Sequence, residues 1–136
     1  MKEIVLDTNV LVSGLINAFG APGKIVERLR NGDLSLCVDD RVLLEYREVL
    51  SRPELSRWIR TSDRDAIIEY VQGCSRHVLC TENITGLPDR SDAPFLETAV
   101  TADIPLITGN IKHFPEDTRH GVLVLSPAAF IELSSK

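Results

Sequence analysis

Residues 3–7, Glu-Ile-Val-Leu-Asp, form an apolar run closed by an aspartate. An apolar run without alternation predicts a strand covered on both faces, as in a parallel sheet, because a half-solvated strand alternates with period two. Asp-Thr-Asn at 7–9 is good capping material for a helix over Val-Leu-Val-Ser-Gly-Leu-Ile. A Gly/Pro-punctuated stretch then leads to a helix over Lys24–Arg30, stopped by Asn31-Gly32. Leu-Ser-Leu-Cys-Val at 34–38 reads as a second strand. Asp39 or Asp40 caps the helix Arg-Val-Leu-Leu-Glu-Tyr-Arg-Glu-Val-Leu, which ends before Arg52-Pro53.

A further helix follows, with Ser62 as N-cap and Asp65 at its third position. His-Val-Leu-Cys at 77–80 is a short strand and Gly-Leu-Pro-Asp-Arg-Ser-Asp a loop. Ser91 starts the helix that runs on to Asp103. Pro-Leu-Ile-Thr at 105–108 and Gly-Val-Leu-Val-Leu-Ser at 121–126 are the remaining strands. Ser126-Pro127 opens a last helix, with proline where its missing N–H costs nothing. Strands alternating with helices predict an α/β fold on a parallel sheet. No linker divides it, so residues 1–136 read as a single domain.

Composition narrows the class. A 43% hydrophobic and 26% charged chain is ordinary for a globular protein. No stretch reaches the roughly 18 apolar residues of a membrane span, and the N-terminus lacks signal-peptide character. Cys37, Cys74 and Cys80 have no zinc-like spacing; an odd, scattered set suits free thiols in a cytoplasmic protein. The net charge of −5 argues against passive coating of nucleic acid but not against an enzyme acting on it. Arginines crowd the first half, either as solvated helix faces or as an edge facing a phosphate chain.

The chemistry-bearing residues are carboxylates. Ligands of open α/β sheets bind at the carboxyl ends of the strands, where Asp7 and Thr108-Gly109-Asn110 fall. Asp7 could equally serve as a cap. Asp92 shares a helical stripe with Phe95, Leu96 and Ala99, at spacings that put it on the buried face. Glu45 lies at the edge of a core stripe of Val42, Leu43, Tyr46, Val49 and Leu50, whereas Glu48 lies farther round. Several carboxylates in one crevice repel unless protonated or bound to a cation, and oxygen donors suit a hard divalent ion. Such an ion serves phosphodiester hydrolysis.

Other sites lack support. The chain has no GxGxxG, GxxxxGK[ST] or GxSxG motif. His77, His113 and His120 lack metal-ligand spacing, and His113 reads as a local structural or surface residue. Trp58 reads as a packing residue, and the aromatics are too dispersed for a base-stacking platform.

Taken together, the stretches IVLDTNVLVSGLI, LLEYREVLSRPEL, PDRSDAPFLETAVTAD and PLITGNIKHFP resemble the PIN-domain family, in particular its bacterial toxin components of toxin–antitoxin systems. The resemblance implies a three-layer α/β/α fold with a central, mostly parallel sheet. It implies a ribonuclease with an acidic pocket for Mg²⁺ or Mn²⁺. Asp7, Glu45 and Asp92 match the family's acids, as catalytic residues and metal ligands. Asn9 matches the polar residue that holds the first aspartate, and Thr108 the hydroxyl at the sheet edge. Asn110 stands where a fourth acid often follows, and should weaken a second metal; Asp89 could compensate or shape the loop.

Arg41 and Arg47 are the expected holders of RNA phosphates. A small antitoxin protein and a second copy of the chain are the partners the resemblance suggests. The rival from another class is a PIN-fold module that binds RNA or a partner without catalysis. A haloacid-type phosphatase fits poorly, since it needs an acid where Asn9 stands.

Overall fold

A computed structural model describes residues 2–135. Met1 and Lys136 lie outside them. Strands β1 (Glu3–Leu6), β2 (Ser35–Val38), β3 (Arg76–His77), β4 (Leu106–Ile107) and β5 (Val124–Leu125) form one sheet. Its order is β3-β2-β1-β4-β5, and every pairing is parallel. Helices α1 (Thr8–Ile16), α2 (Ala21–Arg30), α3 (Asp40–Leu50), α4 (Thr61–Cys74), α5 (Ala93–Ala102) and α6 (Pro127–Ser134) complete the α/β fold. Among the described residues no helix is long and apolar enough to cross a membrane.

The unbroken apolar run of β1 has the predicted cause. Ile4, Val5 and Leu6 are wholly buried because β1 is the central strand, paired on both sides. Chain order reverses there: the chain goes from β1 to β2 and β3 on one side, then returns to β4 on the other. The gap between β1 and β4 is therefore the topological switch point, where open α/β sheets bind ligands beyond their carboxyl ends.

Helix α1 packs on α2, and α2 on α6. Close approach of α1 and α2 is set by Gly14, where an added Cβ would stand 2.5 Å from Pro22 O and from Val26 Cγ2. Helix α3 is capped by Asp39, whose Oδ1 accepts from Val42 N at 2.9 Å, and Ser126 likewise caps α6 through Ala129 N at 3.1 Å. Val42, Tyr46 and Leu50 bury the stripe of α3, leaving Leu43 and Val49 half-buried. Cys37 is buried in β2, and burial pushes its thiol up to about 11; all three cysteines are free.

Five local expectations change. The strand read at 77–80 stands at Arg76–His77 instead. Helix α2 begins at Ala21, three residues early, because Pro22 fits the first turn that the Gly/Pro pattern suggested was loop. Ser62 lies inside the first turn of α4, whose N-cap is Arg60 without a side-chain bond. Ser91 does not cap α5. It sits in a 3₁₀ turn, Arg90–Asp92, and donates through both its amide and its hydroxyl to Asp89, which caps that turn; the N-cap of α5 is Asp92, without a side-chain bond. Trp58 is not packed: it is 61% exposed at the end of a 3₁₀ turn, with the Arg57 guanidinium 5.8 Å above its ring.

Candidate active site

Register builds the site. Val5 pairs with Leu106 and Leu6 with Ile107, so the next residues, Asp7 and Thr108, emerge side by side at the switch point. Thr108 Oγ1 donates to Asp7 Oδ2 at 2.7 Å, and the Asp7 amide donates to Ile107 O at 2.9 Å. Asp7 occupies the N-cap position of α1 but makes no side-chain capping bond. Its carboxylate is thus fixed across the sheet rather than along its own helix.

Asp39, at the end of the neighbouring strand, is used differently. Its oxygens cap α3 and take Arg41 at 2.6 Å. Two buried strand-end aspartates therefore diverge: Asp39 is fully engaged in structure, while Asp7 faces a cleft.

Helix α3 brings Glu45. Tyr46, in the buried stripe, donates its hydroxyl to Leu6 O, the carbonyl just before Asp7. That anchor carries the preceding residue to the start of α1, where Thr8 Oγ1 donates to Glu45 Oε2. Asp92 arrives from the turn before α5, buried as its helical stripe required. Asp7, Glu45 and Asp92 line one cleft of about 490 Å³ together with Thr8, Asn9, Ser13 and Ser91.

The electrostatics of the cleft are those of crowded acids. Burial raises the Asp7 carboxyl above its ordinary value; the Thr108 bond opposes this and the Asp92 charge adds to it. Burial raises Glu45, opposed by the Thr8 bond and reinforced by Asp7. Burial also raises Asp92, with Asp89 adding to it and His113 opposing. Exposed Asp89 goes the other way, held low by its bonds from Ser91.

Three acids that each resist ionisation line a cleft where Asn9 Oδ1 is buried without a hydrogen-bond partner, so the lining offers a set of oxygen donors rich in negative charge. That set fits a hard divalent cation.

A family model described as PIN domain matches residues 3–112, a span that holds every one of these acids. The chain belongs to the PIN domain family. PIN domains are generally nucleases, and PIN nucleases typically use divalent metals. The chain is also similar to the uncharacterized protein MJ1680 of Methanocaldococcus jannaschii, with 27% identity over 109 residues, 79% of this chain and 70% of that protein.

Some residues expected in this PIN domain's site stand elsewhere. Asn9 lines the cleft, but among the described residues Thr108, not Asn9, holds the Asp7 carboxylate. Asn110 is exposed and does not line the cleft; its backbone N–H donates to Thr108 Oγ1 at 3.0 Å, which orients that hydroxyl toward Asp7. Arg41 is bonded to Asp39 and to buried Glu97 at 2.8 Å, beside a different cleft. Arg47 is exposed on α3 and lines neither cleft.

His113 was not anticipated. Its Nδ1 lies 2.9 Å from Asp92 Oδ2, and among the described residues Asp89, Asp92 and His113 are the three that each offer a ligand atom within 4.8 Å of the others, a group that does not include Asp7 or Glu45. No sequence spacing signals it, because a separate 3₁₀ turn, Ile111–His113, brings the imidazole back to α5.

Proposed function

We propose that this PIN domain is a metal-dependent endoribonuclease using Mg²⁺ or Mn²⁺. The observation that carries the reading is the cleft at the switch point, into which three separate segments bring Asp7, Glu45 and Asp92. Asp7 and Asp92 are the principal ligands, and Glu45 is a ligand or the group that orients the attacking water. When bound, a divalent ion lowers the pKa of water and neutralises charge developing on the phosphoryl oxygens.

The residues' own parts follow from their contacts. Thr108 orients Asp7 and favours its ionised form against burial, as Thr8 does for Glu45. His113 fixes Asp92 Oδ2. Water attacks phosphorus in line as the P–O3′ bond breaks; the 3′ oxygen takes a proton, leaving a 5′ phosphate on the other fragment. Asp89 supports the site by shaping the turn that presents Asp92.

The test is cleavage of single-stranded RNA by clean protein with Mn²⁺ or Mg²⁺, stopped by chelator and by Asp7→Asn. Cleavage that survives both overturns the reading. Binding without cleavage would establish the second reading, a non-catalytic RNA- or partner-binding module, which the position of Asn110 outside the cleft favours.

We further propose a cytoplasmic toxin that acts as a homodimer, neutralised by a small antitoxin protein reaching the acidic cleft with a basic side chain. The resemblance to toxin components supports this. Growth arrest on expression, relieved by an adjacent small gene product, tests it; absence of any growth effect counts against it.

A further inference from the structure

We propose that the groove between α1 and α3 is a subsite for single-stranded RNA, in which Arg52 holds a phosphate flanking the scissile one. This rests on the ribonuclease reading of the acidic cleft. The groove begins where Thr8 of α1 meets Glu45 of α3. Val12 lies one turn past Thr8 and Val49 one turn past Glu45, so each continues its helix's face along the groove. Both line the same cleft as the acids, and the lining extends to Arg52 and Leu55.

Arg52 is delivered there by local chemistry. It precedes Pro53, which forbids helical continuation, so α3 ends at Leu50 and Arg52 is extended at φ −65°, ψ 131°. Past Leu50 the chain leaves the helix direction, and Arg52 joins the cleft lining beyond Val49, near enough for its charge to act on Glu45. A guanidinium beside the acids yet bonded to none of them suits a phosphate next to the reacting one.

The other arginines near α3 are committed or elsewhere. Arg41 is bonded to Asp39 and Glu97, and Arg57 lies over Trp58. Among the described residues Arg52 is the one cation lining the acidic cleft, and it forms no ion pair, although Glu45 and Glu54 line the same cleft. A guanidinium serving only to balance those acids would close on one of them, since the bidentate pair is the strong arrangement. An unpaired fork at the end of a negatively charged groove with an aliphatic floor suits an anion attached to an apolar-faced unit. A nucleotide is such a ligand. Among the described residues no aromatic ring lines the groove, so recognition falls on phosphate and ribose, with little base preference.

The experiment measures binding of a short single-stranded RNA oligomer across salt concentrations, in an Asp7→Asn background that does not cleave. Arg52→Ala is expected to weaken binding about tenfold, the scale of one charge-assisted hydrogen bond. It should also lower the slope of log K against log salt by about 0.7, the single-strand value per phosphate neutralised. Arg52→Lys should restore the slope but not the full affinity, having a charge but no fork. Arg60→Ala, exposed and outside the cleft, should change neither. With Asp7 intact and Mn²⁺ present, Arg52→Ala should raise KM for the oligomer and leave kcat unchanged.

Unaltered affinity and slope in Arg52→Ala would overturn the proposal. So would an unchanged KM with a lowered kcat, which assigns Arg52 to the acids instead. Wild-type protein that cleaves no RNA, yet binds it in an Arg52-dependent way, overturns the ribonuclease reading while supporting the groove as an RNA site.

Discussion

Thr108 and Asp7, 101 residues apart in sequence, are joined by a 2.7 Å hydrogen bond between the ends of two paired parallel strands. Each strand delivers one partner. The Asn110 backbone N–H in turn donates to Thr108 Oγ1, which leaves the hydroxyl hydrogen directed at the carboxylate. The bond favours the charged form of an acid whose burial pushes the other way.

Thr108→Val keeps the shape of the side chain and removes the donor. Mn²⁺ affinity and RNA cleavage should each fall about tenfold, the scale of one charge-assisted bond. Thr108→Ser should recover both. Calorimetric Mn²⁺ titration and initial rates check this, and an unchanged affinity in Thr108→Val would remove Thr108 from the site.

The acids should make the metal-free protein less stable as pH rises. Asp7, Glu45 and Asp92 all have folded-state pKa values above their ordinary ones, with burial as the first cause. Such groups favour the fold fully below the unfolded carboxylate values of about 4, and that contribution is lost as pH climbs through the raised folded values. In chelator, melting should therefore occur at a lower temperature near about pH 7.5 than near about pH 5, with the gap narrowed by Mn²⁺. Asp7→Asn should abolish cleavage, raise the chelated protein's Tm near neutral pH and flatten the pH dependence. A chelated wild type that gains stability over that range would refute the account.

Glu97 is a structural acid. It is 3% exposed, accepts from the Ile84 amide at 2.8 Å and pairs with half-exposed Arg41. Glu97→Ala strips a buried amide of its acceptor, which should cost about 2 kcal/mol, with little added by the solvent-screened Arg41 pair. Urea denaturation measures the loss, and Mn²⁺ affinity should stay within twofold. A large fall in metal affinity would mean that Glu97 belongs to the site.

Gly14→Ala tests the packing of the helix that starts at the site. The new Cβ would meet Pro22 O and Val26 Cγ2 at 2.5 Å. Forced separation of α1 from α2 should outweigh alanine's better helix propensity of about 1 kcal/mol, for a net loss of about 1–3 kcal/mol. Thermal or urea unfolding would show it; a neutral or stabilised variant would contradict the close approach.

Much of this protein was readable from the sequence because the governing interactions are local. The continuous apolar run of β1, the caps Asp39 and Ser126, and the stripe carrying Asp92 beside Phe95 and Leu96 follow from backbone period and near-neighbour hydrogen bonding. So does the alternation of strands and helices that predicts the parallel sheet. Where two local solutions compete, sequence is weaker: Pro22 could end a loop or begin a helix, and Ser91 could cap or be capped by Asp89.

Tertiary structure alone decided who meets whom. The strand order β3-β2-β1-β4-β5 sets Thr108 against Asp7, and no periodicity encodes which strands are neighbours. Asn9 lines the cleft with its Oδ1 unpartnered, and a separate turn brings His113 to Asp92. Arg41 and Arg52 look alike in sequence, yet buried Glu97 draws one into an ion pair while Pro53 turns the other toward the acids. A side chain's chemistry belongs to the sequence; its partner depends on contacts across long loops, which exist only once the sheet has closed.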